Sequence, residues 1–243
     1  MTVAADGGGS LGGRWAAAGL ITVLLAAGFV GFAGIDLWFT GLFWNGTEGF
    51  FLRDAWWARV AYRIIPILTF SVVGIALAGL IVNAVRRRPL GPLRSRVFLY
   101  LIAVVAIGPG LVVNVVFKDH WGRARPRDVV EFGGTKAFTP AFVISDQCPK
   151  NCSFVAGHPS MAFAMVALAL VAARKRRAWL IALALTVGTV VGFGRIVQGG
   201  HFLSDVVFSA IFTVAVAVGL YRLFRLNSGA SEVDRPDARS VGA

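Results

Sequence analysis

Six stretches of this chain are apolar for about the length a helix needs to cross a lipid bilayer. They run approximately over 15–39, 61–85, 97–117, 159–173, 178–197 and 202–224. A helix spans the roughly 30 Å hydrocarbon layer with about 20 mostly apolar residues. Inside that layer only helices and closed barrels satisfy their own backbone, and these lengths suit helices. The expected fold is all-α: a polytopic membrane protein with six transmembrane helices. Hydrophobic residues make up 57% of the 243, and the mean hydropathy is +0.73, against about 45–50% apolar residues in soluble domains. The chain is long enough for one membrane domain, expected over 14–225. The polar ends, 1–13 and 226–243, read as disordered and cytoplasmic. The first stretch exceeds a typical signal-peptide core, so an uncleaved helix is expected there. Pro66, in the second, is tolerated in a membrane helix.

The net charge of +12 is confined to short runs between apolar stretches, which argues against a nucleic-acid surface. Arg86, Arg87, Arg88, Arg94 and Arg96 lie between stretches two and three, and Arg174, Lys175, Arg176 and Arg177 between four and five. Arg14 precedes the first stretch, and Arg222 and Arg225 end the last. Lys/Arg-rich loops stay cytoplasmic. Both termini are therefore expected inside, with loops 40–60, 118–157 and 198–201 facing outward.

That outer boundary gathers the chemistry. Lys118 is followed, after six residues, by Arg125-Pro126; Gly157-His158 comes next, then Arg195, His201 and Asp205. All three histidines of the chain, His120 included, fall at this boundary. Guanidinium groups grip phosphate oxygens in a fork and lysine supplies a point charge. Cations this close to the hydrocarbon are costly unless paired or functional. Snorkelling explains any one of them but not the whole set. His201 and Asp205 are four apart at a helix start and share a face. The carboxylate can hold one imidazole nitrogen and leave the other to attack phosphorus. His158 can protonate the departing oxygen. Gly157 permits close backbone approach, and a helix start there offers N–H groups to an anion. A phosphorylated membrane lipid is the substrate this location favours.

With these residues on the page, the chain resembles the type 2 phosphatidic acid phosphatase superfamily. The family pattern K-x6-RP, PSGH, SR-x5-H-x3-D is matched by Lys118 to Pro126, by Gly157-His158, and by Arg195 to Asp205. The resemblance implies a helical membrane core, no metal or cofactor, and a phosphohistidine intermediate. His201 would be the nucleophile, Asp205 its orienting partner, His158 the general acid, and Lys118, Arg125, Arg195 and Gly157 the phosphate site. The pattern is broken where Val155-Ala156 replaces Pro-Ser and Gly194 replaces Ser. Ala156 would lack a hydroxyl that the family directs at phosphate, so Ala156→Ser is expected to raise turnover. The outer loop also resembles bacterial lipid A 1-phosphatases. Its two cysteines, Cys148 and Cys152, are expected to form a disulfide; a zinc site using His158 is the rival reading.

Trp38, Phe39, Phe43, Trp44, Phe50, Phe51, Trp56 and Trp57 form an aromatic belt, within which an interfacial helix around 48–60 could shape lipid entry. Candidate substrates are lipid A 1-phosphate, phosphatidylglycerol phosphate, phosphatidic acid and polyprenyl diphosphate. A lipid phosphotransferase and a non-catalytic phospholipid-binding or transport protein are the alternatives, and the sequence leaves the oligomeric state open.

Overall fold

The computed structural model describes residues 11–226 apart from residue 92. The polar ends expected to be disordered therefore lie almost wholly outside the described residues.

The first apolar stretch is not a single rod. Helix α1 (Leu11–Gly31) and helix α2 (Gly34–Gly41) meet at a break that turns the axis by 76°. Gly31 and Gly34 flank the break, where the helix former with the weakest commitment is cheapest to bend. The turn takes Asp36 away from lipid and into the protein, where it is fully buried. A short antiparallel hairpin follows, β1 (Trp44–Asn45) and β2 (Gly49–Phe50), with Trp44 opposite Phe50. Its turn is fixed by Asn45 Oδ1, which accepts the Glu48 N–H at 2.6 Å. The expected interfacial helix around 48–60 is thereby corrected. Helix begins only at Trp56, as the first turn of the long α3 (Trp56–Arg86).

Helix α4 (Ser95–Val105) continues as a π-wound stretch, Ala106–Lys118, and the two form one apolar rod, Ser95–Lys118. Pro109, between Gly108 and Gly110, lies in the π-wound part. Proline lacks an N–H and crowds the preceding turn, and wider winding is one way a helix absorbs that defect. This rod ends on Lys118. After a long loop come α5 (Gly157–Phe163) and α6 (Val166–Val171), then α7 (Arg174–Val197) and α8 (Leu203–Leu223).

Among the described residues, α3, Ser95–Lys118, α7 and α8 are long and apolar enough to cross a membrane, and the bent pair α1–α2 makes a fifth candidate. The expected fourth span is instead the short pair α5–α6, Gly157–Val171, about 22 Å of helix at 1.5 Å per residue. Its interior is fully packed, with Ala162, Phe163, Ala164, Val166, Ala167 and Ala169 all buried. By contrast α3 exposes Ile67, Phe70, Ile75, Ile81 and Val85 at 62–78%, the apolar rim expected of a lipid-facing helix.

Two clusters hold the rods together. Away from the motifs, Phe98, Tyr100, Leu101 and Val104 of α4 pack on Ala217 and Tyr221 of α8, and the Tyr100 hydroxyl donates to the Ala217 carbonyl at 3.1 Å. Toward the motif end, Phe154 and Phe208 sit in a nest of rings. Phe117 stacks flat on Phe212 at 4.9 Å, and Phe142 meets Phe208 edge-on at 4.6 Å. Aromatic pairs in such geometries add about 0.5–1.5 kcal/mol beyond area burial. They anchor the start of the loop that delivers His158.

Candidate functional site

Backbone hydrogen bonds stitch the three motifs to one another before any side chain acts. The Cys152 N–H donates to the Lys118 carbonyl at 3.0 Å and the Ser153 N–H to the Arg123 carbonyl at 2.9 Å. The Arg127 N–H reaches the Gly199 carbonyl at 3.1 Å, and the Ala156 N–H the Asp205 carbonyl at 3.1 Å. Segments 118–127, 152–156 and 199–205 are thus one unit, though far apart in sequence.

Their side chains open on a cavity of about 700 Å³. Lys118, Arg125, Arg195, His158 and His201 all line it. Lys118 and Arg195 are buried, at 7% and 9% exposure. Arg125 donates from Nη2 to the Asn151 carbonyl at 2.8 Å and to its side-chain oxygen at 3.2 Å. Gly157 lies directly against Lys118: a Cβ there would touch Lys118 Nζ and Asn114 Oδ1, each at 3.4 Å, without a clash. The departure at Gly194 has a packing reason, because a Cβ would stand 3.2 Å from the Trp57 ring and 3.4 Å from Ala58.

His201 is held differently from the simple pairing read in the sequence. Its Nδ1 lies 2.8 Å from the Ser153 carbonyl and 3.6 Å from Asp205 Oδ2. A carbonyl only accepts, so Nδ1 carries the proton and Nε2 keeps its lone pair. Asp205 is committed elsewhere. Its Oδ1 takes Arg123 Nη1 at 2.6 Å, and its Oδ2 takes the Ser153 hydroxyl at 2.5 Å and the Phe202 N–H at 2.8 Å. The carboxylate thus fixes Ser153, the residue whose carbonyl aims His201, and supplies negative charge near the ring. Burial pushes the His201 imidazole below its ordinary 6.5, to about 3, with Lys118 and Arg195 adding to the fall and Asp205 opposing it. The ring is neutral at physiological pH, as a nucleophile must be.

The centre of this network is a residue that sequence reading passed over. Arg123 is fully buried. Besides Asp205, it donates to the Thr139 carbonyl at 2.8 Å, Ser204 Oγ at 2.8 Å and Asp36 Oδ2 at 2.8 Å. Asp36 also accepts the Ser204 N–H at 2.8 Å and the Ser204 hydroxyl at 2.5 Å. A carboxylate inside a membrane-length apolar stretch was the available signal for Asp36. The first of the two arginines in Lys-Asp-His-Trp-Gly-Arg-Ala-Arg-Pro, a further cation beside the K-x6-RP residues, was the signal for Arg123. Tyr62 on α3 gave none. Its ring stacks on His158 with centroids 4.0 Å apart, and Arg195 lies over it at 4.9 Å.

Two further expectations change. His120 stands apart from the cavity lining, its Nδ1 2.7 Å from the Val115 carbonyl. Ala156 is fully buried in an apolar cluster with Phe163, Ile196 and Val206 and is not part of the cavity lining. A hydroxyl on this side chain would enter that cluster, so the packing gives no support for a gain from Ala156→Ser. Cys148 and Cys152 are joined in a disulfide with Cα atoms 5.6 Å apart. That bond leaves no thiolate pair for the zinc reading, and no group of three His, Cys, Asp or Glu gathers among the described residues.

The fold and the cavity define a helical membrane protein with a cationic, imidazole-bearing pocket at the ends of its apolar rods. Residues 98–228 match the PAP2 superfamily. A protein named lipid A 4′-phosphatase from Francisella tularensis subsp. novicida is 42% identical over 207 residues, which are 80% of this chain and 88% of that protein. Proteins of the same name from Rhizobium etli and Rhizobium leguminosarum are each 30% identical, covering 82% of this chain and 82% and 91% of their own lengths. No solved structure is significantly similar. The chain belongs to the PAP2 superfamily, as a bacterial membrane lipid phosphatase. These relatives carry the 4′ designation where the loop resemblance had pointed to the 1-phosphate.

Proposed function

We propose that the chain removes the 4′-phosphate of lipid A, or of a closely similar phosphorylated glycolipid, through a phosphohistidine on His201. The observation that carries this reading is the single cavity lined by His201, His158, Lys118, Arg125 and Arg195, taken with the names of the relatives. Lys118, Arg125 and Arg195 hold the phosphate oxygens. The Nε2 lone pair of His201 attacks phosphorus, and the bond from phosphorus to the lipid oxygen breaks. His158, held flat against Tyr62 and protonated once the bound phosphate dianion offsets Lys118, Arg125 and Arg195 around it, gives that proton to the lipid oxygen. Water then attacks the phosphohistidine, His158 takes the water proton, and inorganic phosphate leaves. Binding alone would need the cations but neither imidazole, which sets aside the transport alternative.

Six crossings with the site facing the periplasm complete the proposal. The path of the chain supports them. α7 ends on Arg195 at the site, so it starts at Arg174 on the far side. α5 starts at the site beside His158, and only residues 172 and 173 separate α6 from α7. The short α5–α6 pair must therefore carry the chain from one side to the other. The proposed membrane domain, 14–225, holds all of these crossings.

The test is release of inorganic phosphate from purified lipid A 4′-phosphate, lipid A 1-phosphate and phosphatidic acid. The wild type is expected to favour the 4′ ester. His201→Ala should abolish turnover, and His158→Ala should reduce it by about 10²–10⁴-fold, the range for a general acid. Equal release from all three lipids would contradict the substrate, and a fully active His201→Ala the mechanism.

A further inference from the structure

The cavity carries far more positive charge than one phosphate monoester can neutralise. Eight Lys and Arg side chains line it against two carboxylates, Asp54 and Asp128. Those two are already engaged, Asp54 with Arg59 at 3.7 Å and Asp128 with Arg127 at 3.8 Å. A bound phosphate dianion offsets part of the surplus of six and leaves the rest facing the ligand. Moreover, on the topology proposed above this is the periplasmic face, where Lys and Arg run against the bias that keeps them cytoplasmic. Cations held in that position mark a ligand more than a topology signal.

Beyond the cradle of Lys118, Arg125 and Arg195, three of the other five cations share one wall. Arg53 precedes α3, and Arg59 and Arg63 lie four apart on its first two turns, on one face with Tyr62. Residues at this spacing are neighbours, roughly 6 Å apart along the helix axis. The wall is joined to the phosphate cradle rather than merely adjacent to it. Tyr62 stacks on His158. Gln198 accepts from Arg195 Nη1 and donates through Nε2 to the Arg53 carbonyl at 3.3 Å. A group bound along Arg53, Arg59 and Arg63 would therefore lie in register with one held by Arg195.

We propose that Arg53, Arg59 and Arg63 form a second anion subsite, which takes a second anionic group borne by the same lipid headgroup as the scissile phosphate. This rests on the phosphatase reading and narrows its substrate class to headgroups with two separated anions. Singly charged lipid phosphates fill only the cradle.

The experiment uses full-length enzyme in neutral detergent micelles and two synthetic lipids that differ only in a second phosphate, present or replaced by hydroxyl. Exposed ion pairs are individually weak but several act together here. The wild type is therefore expected to favour the two-phosphate lipid by roughly tenfold in kcat/KM, mainly through KM. Arg53→Gln/Arg63→Gln should lose that preference while still turning over the one-phosphate lipid, which also certifies its fold. A preference that survives in the double variant, or is absent from the wild type, overturns the subsite. Phosphatidylglycerol added to the micelles separates the sources of the second anion. A preference that persists assigns the anion to the substrate; one that disappears assigns the wall to a neighbouring lipid and overturns the proposal. Failure of both lipids to release phosphate would instead count against the phosphatase reading itself.

Discussion

At the scale of single residues, the site depends on a guanidinium that does not line the cavity. Arg123 spends its donors on Asp36, Ser204, Asp205 and the Thr139 carbonyl without access to water. Removing one partner of a buried ion pair costs about 3–5 kcal/mol. Arg123→Ala is therefore expected to lower the melting temperature sharply in detergent and to abolish turnover. Arg123→Lys should not rescue it, because an ammonium cannot reproduce the fork. An Arg123→Ala protein that melts like the wild type would refute the assignment. His201 adds a pH dependence whose sign is fixed. Its folded value, about 3, lies below the ordinary 6.5, so the unfolded chain binds the extra proton between those limits. The stability it contributes is complete above about pH 6.5 and falls as pH drops toward 3. Melting curves of His201→Asn should flatten across that window relative to wild type; parallel curves would mean the ring is not held neutral. The motif residues were legible because Lys, Arg and His are rare beside apolar stretches. Asp36 stood out only as a carboxylate in an apolar stretch and Tyr62 not at all, because their partners arrive from α5, α7, α8 and the 118–127 loop only after folding.

At the scale of elements, the structure differs from the sequence reading where helices break. Length and hydropathy located α3, the Ser95–Lys118 rod, α7 and α8. They missed the bend between α1 and α2, which brings Asp36 within 2.8 Å of Arg123. They also missed the hairpin at Trp44–Phe50, since the same aromatics suit a belt or a turn. The disulfide between Cys148 and Cys152 closes a five-residue loop that presents Asn151 to Arg125. In the chain-entropy account a closure this short orders the loop by about 2 kcal/mol. Cys148→Ser/Cys152→Ser is thus expected to lower the global melt by only several degrees and to raise KM for the lipid. A collapse of the fold would show that the loop supports more than Arg125.

At the scale of the whole molecule, helix ends converge on one cavity lined by cations and two imidazoles, while α3 exposes a long apolar face. Charge patterning gave the expected orientation, and the packed path of α5–α6 supports the same count of crossings. Reporters at the N-terminus and after residue 226 should both read cytoplasmic; a periplasmic reading at the N-terminus alone would leave five crossings, and one after residue 226 would move the site to the other face. The central claim is that His201 takes the phosphoryl group from the lipid. Rapid quenching with substrate labelled on the scissile phosphate tests it most directly. The account predicts acid-labile label bound to His201, lost in His201→Ala and turned over by water in the wild type. Label on another residue, or phosphate released at the wild-type rate by His201→Ala, would contradict it.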